Sequence, residues 1–237
     1  MFQRSRAAVV PEVVAVDRDL ELAVRVNRRA RRISLKVDPA YDRAVLVLPS
    51  PRALHDGLRF AESRSPWLRA ELAKLAPRVA FADGAVLPYR GAPHAVRHRP
   101  GARGAVWCED GEIRVAGRLE HLSRRVGDWL KAEARLALSD RAIDFAGRIE
   151  RRIGRIGVRD PKSRWGSCAP DGSLSFSWRL VLAPPSVLDY VVAHEVAHLV
   201  EANHGPGFWA LVANLHPNHM ADRRWLKRHG ATLHRYG

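Results

Sequence analysis

Three histidines and a glutamate lie within eleven residues of this chain: His194, Glu195, His198 and His204. On an α-helix each residue advances about 100°, so residues four apart stack one turn above each other and can turn their imidazoles toward one ion. His194 and His198 meet that condition. Glu195 follows the first of them, poorly placed to join the ion but able to take a proton from a water at an open coordination position. That division of labour is what metal-assisted hydrolysis requires, and zinc is the metal expected.

His204 needs a separate argument. Continued as helix it would stand about 9 Å further along the axis and roughly 120° around from His198, too far to share the ion. Asn203, Gly205, Pro206 and Gly207 are residues that end helices, so the helix is expected to break after Glu201 and the turn to bring His204 back. Glu201 is the rival third ligand, and His216 and His219 are weaker ones.

The elements that position these residues follow from pattern. Pro184 and Pro185 block a helix upstream, and Ser186 with Asp189 forms a capping-box-like start. From Val187 to Val200 no breaker occurs, and apolar residues cover most of the circumference, as in a helix buried on several sides. Buried imidazoles and a carboxylate there need partners, which a metal supplies. Before this helix, Ile156 to Asp160 leads into Ser163–Cys168; the turn Ala169-Pro170-Asp171-Gly172 reverses the chain, and Ser173–Trp178 alternates serine with Leu174, Phe176 and Trp178. This hairpin either covers the metal helix or offers a strand on which an extended peptide is held by backbone hydrogen bonds. Arg164 and Arg179 flank it, with no role assigned by sequence. After His204, an amphipathic helix is expected from Pro206, with Phe208 and Trp209 as core aromatics, and a last one from Pro217.

The first half reads as β-rich. Val13–Val16, Leu20–Val26, Ile33–Val37 and Ala44–Leu48 suggest an antiparallel sheet, followed by helical spacing to Ala76 with a break at Ser65-Pro66. More short strands are expected around 85–87, 92–97, 105–108 and 112–115. Beyond Gly117 the pattern changes to a long helix through Ile149, so the expected organisation is α+β: a β-rich N-terminal subdomain, 1–118, followed by a mainly helical, zincin-like catalytic domain with a short antiparallel hairpin, 119–237. There is no internal repeat.

Composition sets further bounds. Of 237 residues, 46% are hydrophobic, enough for a core and too many for a disordered tail. No apolar run reaches transmembrane length, and the start has only a short apolar patch from Ala7 to Val10 after Arg4 and Arg6, so a cytoplasmic location away from membranes is expected. Cys108 and Cys168 do not have metal-pair spacing and read as reduced thiols, with a disulfide as the alternative. The net charge of +15 invites a nucleic-acid reading. The excess is arginine spread along the chain, and the densest run, Arg28–Arg32, reads as a solvated hairpin face. Non-specific nucleic-acid contact stays open.

The histidine spacing also matches metzincin proteases, which place glycine midway between the second and third histidines. Here Glu201 occupies that position, and Met220 imitates their methionine turn only by coincidence. Taken together, Trp165-Gly166-Ser167-Cys168, Asp189-Tyr190-Val191-Val192, His194–His198, Asn203-His204 and Phe208-Trp209 resemble the YgjP-like metallopeptidase family, related to SprT-like proteases. The segment from Arg31 to Val37 also fits. The resemblance implies a zincin-type core with His194, His198 and His204 as zinc ligands, Glu195 as the base and a peptide or protein substrate. Two alternatives use the same parts: a metal-dependent nucleotide phosphohydrolase, which lacks a Gly-rich phosphate loop here, and a SprT-like protease recruited to DNA.

Overall fold

A computed structural model describes residues 11–237; the apolar patch Ala7–Val10 lies outside the described residues. The chain forms two compact units, Met1–Pro77 and Arg78–Gly237. No helix among the described residues is long and apolar enough to cross a membrane.

In the first unit, β1 (Val13–Asp17), β2 (Leu20–Val26), β3 (Ser34–Asp38) and β4 (Arg43–Leu48) form a sheet of order β1-β2-β4-β3. The strands fall where alternation predicts, but the sheet is mixed: β2 and β4 run parallel, because β3 turns back along the far edge of β4. Two helices follow, α1 (Leu54–Ser63) and α2 (Ser65–Ala73), broken at Arg64 as Ser65-Pro66 predicts. Leu20, Leu22, Leu46, Leu48 and Leu68 form the core of this unit. A Cβ on Gly57 would stand 2.6 Å from Leu48 Cδ2, so glycine is what lets α1 approach β4.

The second unit opens with β5 (Val86–Tyr89), β6 (Ala92–Arg99), β7 (Val106–Glu109) and β8 (Glu112–Ala116), in the order β5-β6-β8-β7 with β6 and β8 parallel. Strand order and directions repeat those of the first sheet, and each sheet leads through a short 3-10 turn into a helix. The sequence shows no internal repeat, yet the topology contains one. The helix here is α3 (Leu122–Arg148), whose buried stripe runs Leu122, Val126, Leu130, Ala134, Leu138, Ala142 and Phe145. Leu136 and Ile143 lie on its exposed side.

Leu87, Val96, Ile113 and Val115 share one core with this stripe and with the helices that follow. The compact units therefore divide at Pro77, and the expected boundary near Gly117 falls inside the second unit. A change in local pattern marks where strands give way to helix, which is not where packing separates.

Next come β9 (Ile156–Arg159), β10 (Gly166–Cys168) and β11 (Leu174–Ser177), in the order β10-β11-β9. The expected β10–β11 hairpin is present, and β9 adds a parallel strand to its far side. Gly172 closes the turn at φ +76°, a left-handed value that favours glycine. Three helices complete the chain: α4 (Pro185–Ala197), α5 (Pro206–Leu215) and α6 (His219–Leu233). Sheets thus dominate the N-terminal half and helices the C-terminal half.

Candidate metal centre

Helix α4 starts at Pro185, whose missing N–H costs nothing in the first turn. The expected capping box does not form. Ser186 Oγ instead donates to Asp222 Oδ1 of α6 at 2.8 Å, and Asp189 accepts two bonds from Arg141 of α3, at 2.7 and 2.9 Å. These side chains tie α4 to its neighbours rather than capping its own amides. Regular helix ends at Ala197, one turn before the expected break, and His198 is the C-cap. Val200 N–H and Glu201 N–H both reach back to Ala197 O, at 3.1 and 3.0 Å, so the chain tightens and turns at once.

That turn returns His204. The nitrogens of His194, His198 and His204 lie within 4.8 Å of one another, and no other three such residues among those described form a group of this kind. His194 Nε2 and His204 Nε2 are 3.1 Å apart. His198 Nδ1 is held by Glu201 O at 3.0 Å, which fixes that ring through its far nitrogen. The rivals are elsewhere: His216 Nε2 pairs with Asp222 at 2.6 Å, and the His219 ring stacks on Trp209. The Glu201 carboxylate lies 3.0 Å from where a Cβ on Gly207 would be.

Beneath the three imidazoles lies Phe208, fully buried, its ring centroid 4.9, 4.6 and 4.6 Å from those of His194, His198 and His204. Trp209 stacks on His204 at 5.9 Å. Sequence reading assigned both aromatics to the core; they also form the platform that sets the three rings. Burial and the neighbouring imidazoles of His198 and His204 push His194 down to about 4, so it stays neutral and keeps a free lone pair.

Glu195 is 7% exposed, at the wall between the three imidazoles and Gly166. Burial drives its carboxyl up to about 7, opposed by the charge of Arg164. Such a raised value makes the charged form costly: the stability tied to Glu195 is present below 4.5 and is lost as pH rises through about 7. In metal-stripped protein, Glu195→Gln is therefore expected to stabilise the fold by on the order of 3 kcal/mol at pH ~8 and by almost nothing at pH ~4. Thermal melts of the two proteins at both pH values check it.

Glu195 has room only because residue 166 is glycine. A Cβ there would stand 2.5 Å from Glu195 Cγ and 2.6 Å from Oε1. Next to it Trp165 stacks on His234 at 5.0 Å and packs against Gly230, anchoring the start of β10 to α6. Strand β10 has no partner on its outer side among the described residues. Gly166, Ser167, Cys168, Ala169 and Pro170 line one wall of a cleft of about 560 Å³ whose other wall carries His194, Glu195, His198 and His204. A smaller recess of about 260 Å³ adjoins it, bounded by Arg164, Tyr190, Val191, His194 and Glu195.

Arg164 and Tyr190 thus face the site, which sequence reading left undecided or missed. Tyr190 stands one turn before His194 on α4, and that 3.6-residue spacing could have found it. Arg179 serves the fold instead, since its buried guanidinium bonds Asp160, Leu233 O and Tyr236 O and clamps the C-terminus to the end of β9. Both cysteines are free thiols.

Three converging nitrogens, a neutral, partly buried imidazole and a carboxylate beside them suit a divalent cation. Two Nε2 atoms at 3.1 Å either share a proton or direct both lone pairs at one ion, and all three rings are already held by their surroundings. The chain belongs to the YgjP-like family: the model of the YgjP-like metallopeptidase domain matches residues 31–229. Comparison with curated proteins and with solved structures gives no match.

Proposed function

We propose that this chain is a zinc-dependent peptidase with a zincin-type catalytic core, in which His194, His198 and His204 hold the metal and Glu195 is the general base. The observation that carries the reading is the convergence of the three imidazoles beside the buried carboxylate of Glu195, in a cleft walled by an unpaired strand edge. An all-imidazole donor set suits zinc, and membership of a metallopeptidase family supports peptide bonds as the target. When bound, zinc acts as a Lewis acid that acidifies water and polarises a carbonyl.

The chain's own residues do the remainder. The open edge of β10 offers backbone N–H and C=O groups to an extended peptide, which aligns it without demanding particular side chains. Glu195, with its proton affinity raised into the neutral range, takes a proton from the attacking water and returns it to the leaving amine. Tyr190 stays protonated, since burial raises its pKa, and with Arg164 offers a donor to charge growing on the scissile carbonyl oxygen.

The test is the metal content of purified protein before and after His204→Ala, read together with hydrolysis of a denatured protein such as casein. One bound zinc in the wild type is expected, with metal and hydrolysis both lost in the variant. Full metal retention by His204→Ala would remove that residue from the ligand set. Absence of hydrolysis by zinc-loaded wild type on any peptide would overturn the peptidase reading.

A further inference from the structure

The small sheet has a second face, and it carries charge. Register places Gly157 beside Ser175 and Ser175 beside Ser167, so these residues share the face opposite Ile156, Val158, Leu174 and Phe176, which face the core. On that outer face lies a groove of about 680 Å³ whose rim holds Arg135, Arg155, Arg159 and Arg164. None of these four guanidinium groups has an ion pair or hydrogen bond among the described residues. Other arginines of the same unit are matched: Arg114 to Glu112, Arg141 to Asp189 and Arg179 to Asp160. The one carboxylate lining the groove, Asp171, is occupied by Ser173 N–H and Ser173 Oγ at 2.9 and 3.0 Å.

The floor is bare. Gly157 has no backbone or steric need to be glycine, since a Cβ there would meet its nearest atoms at 3.8–3.9 Å, ordinary contact distances. One of those atoms is Arg159 Nε, so that side chain lies back over the floor. Glycine weakens a strand and is retained in one where something approaches the backbone closely.

We propose that this groove binds the phosphate backbone of double-stranded nucleic acid without reading its bases. Arg155, just before β9, and Arg159, its last residue, are four residues apart, roughly 13 Å, and Arg164, just before β10, lies across the sheet by about two strand spacings, ~10 Å. No single small anion spans those separations, whereas a strand of nucleic acid carries charge every few ångströms. Arginine is the side chain suited to phosphate, by its fork of donors. The groove is lined by no aromatic side chain, so it lacks the stacking platform by which single strands are held. Arg164 and Ser167 also border the recess and cleft of the candidate metal centre, so a bound duplex runs alongside it.

The experiment is fluorescence anisotropy of the full chain with a labelled duplex of about 20 base pairs across a salt series; it needs neither metal nor peptidase activity, so it stands apart from the proposed reaction. Arg155→Ala/Arg159→Ala is expected to weaken binding about ten-fold and to flatten the log–log salt slope by roughly 2. Arg28→Ala/Arg29→Ala, outside the groove, is expected to change neither as much. Both pairs are exposed, and circular dichroism confirms that each variant is folded. An unchanged slope in the groove variant overturns the proposal. So does tighter binding of a single strand than of the duplex, or equal displacement of the duplex by polyglutamate.

Discussion

Glu195→Gln is expected to slow peptide hydrolysis by about 10²–10⁴-fold while the zinc content stays that of the wild type. Glutamine keeps the volume and nearly the shape of glutamate, so the tight contact with Gly166 and the packing of α4 are preserved. None of the three imidazoles is touched. What the substitution removes is the one carboxylate in the cleft with its proton affinity raised to about 7, the group able to accept a proton from water near neutral pH. Steady-state rates on a fluorogenic peptide and metal analysis of the same preparation decide it. Hydrolysis at the wild-type rate with zinc in place would show that some other group moves the proton.

Gly166→Ala is the second large effect, and it acts without changing any group that performs chemistry. The new methyl would fall 2.5 Å from Glu195 Cγ and 2.8 Å from Cδ, closer than real Cβ contacts come, so the Glu195 side chain must yield. A carboxylate displaced by about 1 Å costs on the order of 10²-fold in rate. Zinc affinity should be unaffected, because His194, His198 and His204 are positioned by α4, the turn and Phe208 rather than by β10. If the loss arises through Glu195, Gly166→Ala adds little in a Glu195→Gln background, a non-additivity that kinetics of the double variant reads directly. A full further loss in the double variant would place the role of Gly166 elsewhere, in the binding edge itself.

The clustering of His194, His198 and His204 was legible because its geometry is local: four-residue spacing, then breakers, then a third histidine. The strand segments and the Ser65-Pro66 break were legible for the same reason. Partners across space were not. The parallel pairing of β2 with β4, the addition of β9 to the hairpin and the shared core of β5–β8 with α3 depend on neighbours far along the chain. Ser186 and Asp189 look like a cap in sequence, yet both bond across helices to Asp222 and Arg141. Nothing local to the sequence marks the space beside Gly166, and only the folded chain shows the Glu195 carboxylate that fills it. Phe208 was placed correctly by hydrophobicity and still under-read, since burial alone does not say what rests on a ring.

The two four-stranded sheets give this protein an internal control. The same course, β1-β2-β4-β3 and then β5-β6-β8-β7, is written in two unlike stretches of sequence, so what both stretches retain is what the course demands. Both turn between the last two strands through a left-handed residue, Asp42 in the first and Asp110 with Gly111 in the second, and both enter a helix by a 3-10 turn. The rest is free to differ, and it does. Only the second copy lends its inner face to the core that also holds the candidate metal centre, while the first closes on a core of its own. Setting one copy beside the other thus separates residues that specify a shape from residues that serve the site, within one chain and without relatives.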